Sequence, residues 1–187
     1  MKSHLSATGF LIVGLGNPGP GYVGTRHNFG FILLDCLLKK ISSANSFEFV
    51  KALQAEVAVG ELAGWPVQLI KPQTFMNRSG FAVRALLEAL NVTDLQKLIV
   101  IHDDLDLELG RTKLKLGGGS GGHNGLKSLI QEIGSADFLR LRLGIGGELK
   151  SASESVVDFV LAPFTESELD LVDAVNDRSI AGMVELL

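Results

Sequence analysis

The sequence predicts an α/β fold: a three-layer α/β/α sandwich around a mixed, mostly parallel β-sheet, in a single domain spanning residues 1–187. Three observations carry this expectation. Strand-like and helical patterns alternate along the chain. The runs "LIVG" at 11–14 and "LIVI" at 98–101 are apolar without interruption, as in strands covered by helices on both faces. The segment "GELAGWPV" joins two strand-like runs too closely for a helical crossover, so it reads as the turn of an antiparallel hairpin. With 46% hydrophobic and 20% charged residues, 187 residues suffice to bury one proper core.

The first strand, 10–15, leads into Gly14, Gly16 and Gly19, which match the G-x-G-x-x-G fingerprint of dinucleotide-binding proteins. That fingerprint requires a helix to begin within the glycines, whereas Pro18, Gly19, Pro20 and Gly21 make a turn here. It also requires an acid at the end of a second strand, and the nearest one, Asp35, sits inside the next helical pattern. The glycines therefore shape a loop that presents Asn17, His27 and Asn28, and no cofactor is expected. Asn17 alone reads equally as a turn stabiliser and a ligand. A helix over 25–41 follows, with Thr25 as N-cap and a stripe of Phe29, Ile32, Leu33, Cys36 and Leu37. Cys36, the single cysteine, lies on that stripe as a buried structural thiol.

Strands at 55–62 and 67–70 form the hairpin. "KPQTFMNRSGFAV" then places Asn77 before a helix at 79–91, where on its own it reads as an N-cap. The strand at 97–102 ends in "HDDLDLELG". Asp103, closest to the strand end, is placed to orient an imidazole; Asp104, Asp106 and Glu108 read as a solvated loop, and a Mg²⁺ site is disfavoured. In the strand at 111–116, Arg111, Lys113 and Lys115 share one face, and Arg140 and Arg142 repeat the device in the strand at 138–145. Neither strand contains an acid, so the two stripes read as a polyanion site. Between them, "LGGGSGGHNG" opens a helix at 124–133; it lacks a Walker lysine, and its Ser120, His123 and Asn124 read as ligand-facing. A last helix covers 166–187. His4 and His102 read as a tail residue and a strand-end residue.

The net charge of −4 is unevenly spread: residues 148–187 carry −7, leaving +3 on the rest, so nucleic acid is not excluded. No run approaches a membrane span, and residues 1–8 read as a polar tail too short for a secretory signal, so a soluble cytoplasmic protein is expected. A histidine, an aspartate and several asparagines on strand-end loops suit hydrolysis of an acyl bond, with imidazole activating water and amides stabilising the oxyanion. No serine or cysteine nucleophile motif competes with direct water attack.

The blocks "IVGLGNPGPGYVGTRHNFGF", "KPQTFMNRSG", "DDLDLELG", "KLGGGSGGHNGLKSL" and "RLRLGIG" together resemble the signatures of bacterial-type peptidyl-tRNA hydrolase, in order, across 11–164. The resemblance implies the same α/β/α sandwich and hydrolysis of the ester between a peptide and the 3′ end of tRNA, without metal or cofactor. It implies His27 as catalytic base with Asp103 as its partner. Asn17, Asn77 and Asn124 would bind the peptide or position carbonyl and water, and Tyr22 and Met76 would line the site. Lys113, Lys115 and Arg142 would meet tRNA phosphate. The partner is then the acceptor stem and 3′ end of peptidyl-tRNA, with no obligate protein partner and a monomer expected. After "GIG" many members carry a histidine or arginine and a Pro-Gly pair, whereas this chain reads "GELKSASES" over an expected lid at 147–157. The runner-up is a non-hydrolytic RNA-binding relative like the plant organellar intron-splicing factors; an oxidoreductase, ranked third, would be protected by NAD(H).

Overall fold

A computed structural model describes residues 9–42, 46–146 and 155–187. Among these residues, seven strands form one sheet: β1 (Phe10–Gly14), β2 (Glu48–Val50), β3 (Ala55–Leu62), β4 (Trp65–Pro72), β5 (Leu98–Glu108), β6 (Thr112–Leu116) and β7 (Leu139–Gly146). Their spatial order is β2-β3-β4-β1-β5-β7-β6. The pairs β4/β1, β1/β5 and β5/β7 are parallel, and β2/β3, β3/β4 and β7/β6 antiparallel, so the sheet is mixed with a parallel centre. Among the described residues, five α-helices accompany it: α1 (Phe29–Leu38), α2 (Ser79–Leu90), α3 (Asn124–Ile133), α4 (Val156–Leu161) and α5 (Glu166–Leu186).

The apolar runs explain the layering. In β1, Leu11 and Val13 join one core with α2 and α3 through Val83, Leu86, Leu126 and Leu129. Ile12 points to the other face, into a core with α1 and α5 that includes Leu33, Leu37, Val172 and Val175. Alternate residues of one strand thus belong to different cores, which is why the run shows no polar phase. Cys36 is half-buried against the α1 core rather than fully buried, and burial raises its thiol pKa.

Of the fingerprint glycines, Gly14 and Gly16 serve packing, whereas Gly19, at positive φ, faces open space. A Cβ at Gly14 would lie 2.4 Å from the Gly30 carbonyl oxygen, and one at Gly30 2.5 Å from the Leu15 nitrogen. These glycines let α1 sit directly on the end of β1. The hairpin is where the sequence puts it: Ala63 and Gly64, both at positive φ, link β3 to β4.

Several expectations need correction. The helix expected over 25–41 is a 3₁₀ turn at Arg26–Asn28 followed by the shorter α1, and Thr25 Oγ1 donates to the Tyr22 carbonyl instead of capping. Asn77 is no N-cap: it lies inside a 3₁₀ turn, Met76–Arg78, and Arg78 occupies the cap position of α2. The acids beyond His102 are not a loop but the continuation of β5, where Leu105 reaches the core between them. His102 is accordingly interior to its strand. The short β2 and α4 were unexpected; α4 begins inside the expected lid, with Ser155 as its cap, and 147–154 lie outside the described residues, as do 1–8.

Candidate active site

The parallel centre of the sheet places the ends of β1, β4 and β5 side by side, and the polar residues gather there. The loop after β1 is pinned by Asn28, whose Oδ1 accepts from the Asn17 N–H (2.8 Å) and whose Nδ2 donates to the Asn17 carbonyl (2.9 Å). Asn17 in turn accepts the Met76 N–H on Oδ1 at 2.7 Å, tying the loop after β4 to the loop after β1. Met76 is buried in the core below, and Tyr22 meets Phe75 edge-on at 6.3 Å on the rim.

His27, in the 3₁₀ turn, reaches Asp103 on β5 from above: Nδ1 lies 3.0 and 2.9 Å from the two carboxylate oxygens. An ionised carboxylate only accepts, so Nδ1 carries the proton and Nε2 keeps its lone pair. A second imidazole, His123, meets the same carboxylate, with Nε2 2.9 Å from Oδ1. His123 is also the N-cap of α3, its Nδ1 accepting from the N–H groups of Gly125 and Leu126. A third, His102, donates Nδ1–H to the Asp103 carbonyl at 2.7 Å. Burial would raise the Asp103 carboxyl pKa, but His123 and then His27 hold it well below the usual carboxylate range. His102 is pushed down to about 4 by burial and by His123, so it is neutral at pH 7.

His27, Asp103 and His123 offer ligand atoms within 4.8 Å of one another, close enough for a metal ion. The tautomer of His123 opposes one. Its Nδ1 faces two backbone donors, so the proton is on Nε2, the nitrogen that faces the cluster. A metal there would displace that proton and force a donor against the helix N–H groups.

The basic stripes divide. Lys113 and Lys115 are exposed on the edge strand β6. Arg140 is buried and donates to the carbonyls of Gly118, Gly119 and Ala136, fastening the second glycine loop. Arg142 donates from Nε to Asp104 at 2.6 Å. The acid missing from β7 is thus supplied by its neighbour β5, whereas β6 lies one strand further out, at the sheet edge. Asn77 and Asn124 are exposed, on the loop after β4 and at the start of α3.

Sequence reasoning missed the roles of His123 and Arg26. Arg26 lies beside His27 but faces the opposite way, donating to Pro163 O (2.9 Å) and Glu168 (2.7 Å) beneath the rings of Phe159 and Phe164. Glu168 also closes the capping box of α5 with Thr165. The signal "TESE" marks that cap, but nothing local pairs it with Arg26, 142 residues away.

The profile of the family described as "Peptidyl-tRNA hydrolase" matches residues 11–187. A peptidyl-tRNA hydrolase of Geobacter sp. (strain M21) is 48% identical over 171 residues, covering 91% of this chain and 87% of its own. One of Mycolicibacterium smegmatis is 45% identical over 177 residues, covering 95% and 90%. The crystal structure of peptidyl-tRNA hydrolase from Acinetobacter baumannii superposes with a TM-score of 0.87 at 36% identity, over 98% of this chain and 90% of that one.

Proposed function

The chain belongs to the peptidyl-tRNA hydrolase family, and on that premise we propose that it cleaves the ester joining a peptide to the 3′ end of tRNA by attack of a water that His27 activates. The carrying observation is the His27–Asp103 pair, with Nδ1 on both carboxylate oxygens and Nε2 left as an acceptor. Nε2 takes a proton from water as the hydroxyl oxygen bonds to the ester carbonyl. Collapse of the tetrahedral intermediate breaks the bond to the ribose oxygen, which leaves with the proton returned by His27. Asp103 keeps the imidazole in the required tautomer and stabilises its charged form.

Asn77 and Asn124 are the amides assigned to the carbonyl oxygen or the water, and Asn17 to the peptide, with Tyr22 and Met76 bordering it. Lys113, Lys115 and Arg142 are assigned to tRNA phosphate; the two exposed lysines are the stronger candidates, since Arg142 already has Asp104. No metal is needed in this reading, a view supported by the Nε2–H tautomer of His123. We further assign a cytoplasmic monomer; among the described residues no helix is long and apolar enough to cross a membrane.

The test is release of free tRNA from N-acetyl-aminoacyl-tRNA by the purified protein, with EDTA and His27→Ala as controls. Release that survives EDTA and is lost in the variant supports the reading. Binding of tRNA without cleavage would move the non-hydrolytic RNA-binding alternative ahead, and loss in EDTA would restore a metal to the mechanism.

A further inference from the structure

His123 touches the centre of the site yet has no part in the reaction as described, and both of its nitrogens are engaged. On one side, Nδ1 accepts from Gly125 N at 3.1 Å and Leu126 N at 3.3 Å, as an N-cap does. On the other, Nε2 lies 2.9 Å from Asp103 Oδ1, the oxygen that His27 Nδ1 also approaches at 3.0 Å. Backbone N–H groups only donate, so the cap dictates where the ring proton sits. The helix therefore makes His123 a donor to Asp103, in a fixed direction. His27 is the opposite case, a ring with one nitrogen committed and one free.

We propose that His123 is a positioning residue whose tautomer, set by the N-terminus of α3, holds the Asp103 carboxylate and moderates its pull on His27. The effect follows from charge sharing. A carboxylate that already accepts the His123 N–H has part of its charge satisfied, so it stabilises protonated His27 less than a bare carboxylate would. Removing the donor strengthens the pull, and His27 then holds its proton to higher pH, where it no longer serves as a base. Among the described residues, the ionisable groups around the pair are few. Asp103 and His102 come from β5 and His123 from the start of α3. Arg26 is taken by Glu168, and Asp104 by Arg142. His102 is neutral at pH 7 and donates to the Asp103 carbonyl, not to its carboxylate.

The proposal rests on His27 being the base for its effect on rate, but not for its effect on protonation, so the two can be tested apart. The informative variant is His123→Asn. Asparagine caps helices well, and its Oδ1 stands close to where Nδ1 stands, so the cap survives; its side chain is too short to reach Asp103. The experiment is a proton NMR titration of the His27 ring in the wild type and in His123→Asn, beside the pH profile of kcat/KM and a thermal melt. The expected result is an unchanged Tm, a His27 midpoint moved to higher pH, and kcat/KM near neutral pH lowered about 10- to 100-fold, the range for one hydrogen bond to a charged group. His123→Ala should add a loss of Tm, because it also removes the cap. A His27 midpoint and a pH profile that both stay at wild type in His123→Asn would overturn the proposal and leave His123 as a helix cap alone. A shifted NMR midpoint together with full activity in His27→Ala would uphold it and sink the general-base reading instead.

Discussion

Two glycine loops flank Asp103, and each delivers one imidazole to it in an opposite chemical state. The loop after β1 is held by amides, Asn28 against Asn17 and Asn17 against Met76, and its histidine keeps one nitrogen open. The loop after β6 is held by a buried guanidinium, Arg140, and its histidine spends both nitrogens, one on a helix. Proximity to the carboxylate is nearly the same, 2.9 to 3.0 Å. What separates a candidate base from a candidate support is the partner of the far nitrogen, which distance to the aspartate does not reveal.

The sharpest way to break this contrast is His27→Ala. It should lower kcat/KM by about 10²–10⁴-fold if general-base catalysis is the main loss, measured as tRNA released from N-acetyl-aminoacyl-tRNA; near wild-type turnover would erase the distinction between the loops. Asn77→Ala and Asn124→Ala probe the two amides assigned to the carbonyl oxygen or the water. Loss of an oxyanion contact should cost about 10²–10³-fold in kcat, and an effect confined to KM would reassign them to peptide binding.

The third imidazole, His102, belongs to neither loop and tests stability instead. Its folded pKa, about 4, lies below that of the unfolded chain, so the unfolded chain binds more protons below pH 6.5. Stability should fall as pH drops from about 6.5 to about 4, by about 3 kcal/mol in urea titrations. His102→Asn keeps a donor for the Asp103 carbonyl and should flatten that slope; an unchanged slope would place the acid sensitivity elsewhere. Smallest of all, Lys113→Ala or Lys115→Ala should each lower the slope of log affinity for tRNA against log salt by about one, with little change at saturating substrate. Identical slopes would remove β6 from the nucleic-acid surface.

Much of this was legible in the sequence, for physical reasons. Uninterrupted apolar runs located β1 and the start of β5, and the bounds of β3 and α3 were readable residue for residue from alternation and from helical periodicity. Asp103 was singled out as an imidazole's partner from an expected strand end; it lies inside β5 instead, and its carboxylate meets His27 there. The end of β5 was misread because acids suggest a loop, although Leu105 and Leu107 keep the period of two through "DDLDLE". The pairing of Arg142 was not legible because a strand's neighbours are unknown before the sheet is ordered; Asp104 meets Arg142 only once β5 lies beside β7. His123 escaped because histidine is an uncommon cap, and Asn124 after it looks like the better one.

The Arg26 contact has a consequence for synthesis. Among the described residues, the partners of that guanidinium run from the Phe159 ring to the Glu168 carboxylate, up to 142 residues later in a chain made from its N-terminus. Until that stretch emerges, the turn bearing His27 has the Asn28–Asn17 bonds and Asp103 of β5 to hold it, without the outer clamp on Arg26. A growing copy of this enzyme is itself a peptide on a tRNA, and by this topology the turn that bears His27 gains its outer clamp only once Glu168 has emerged.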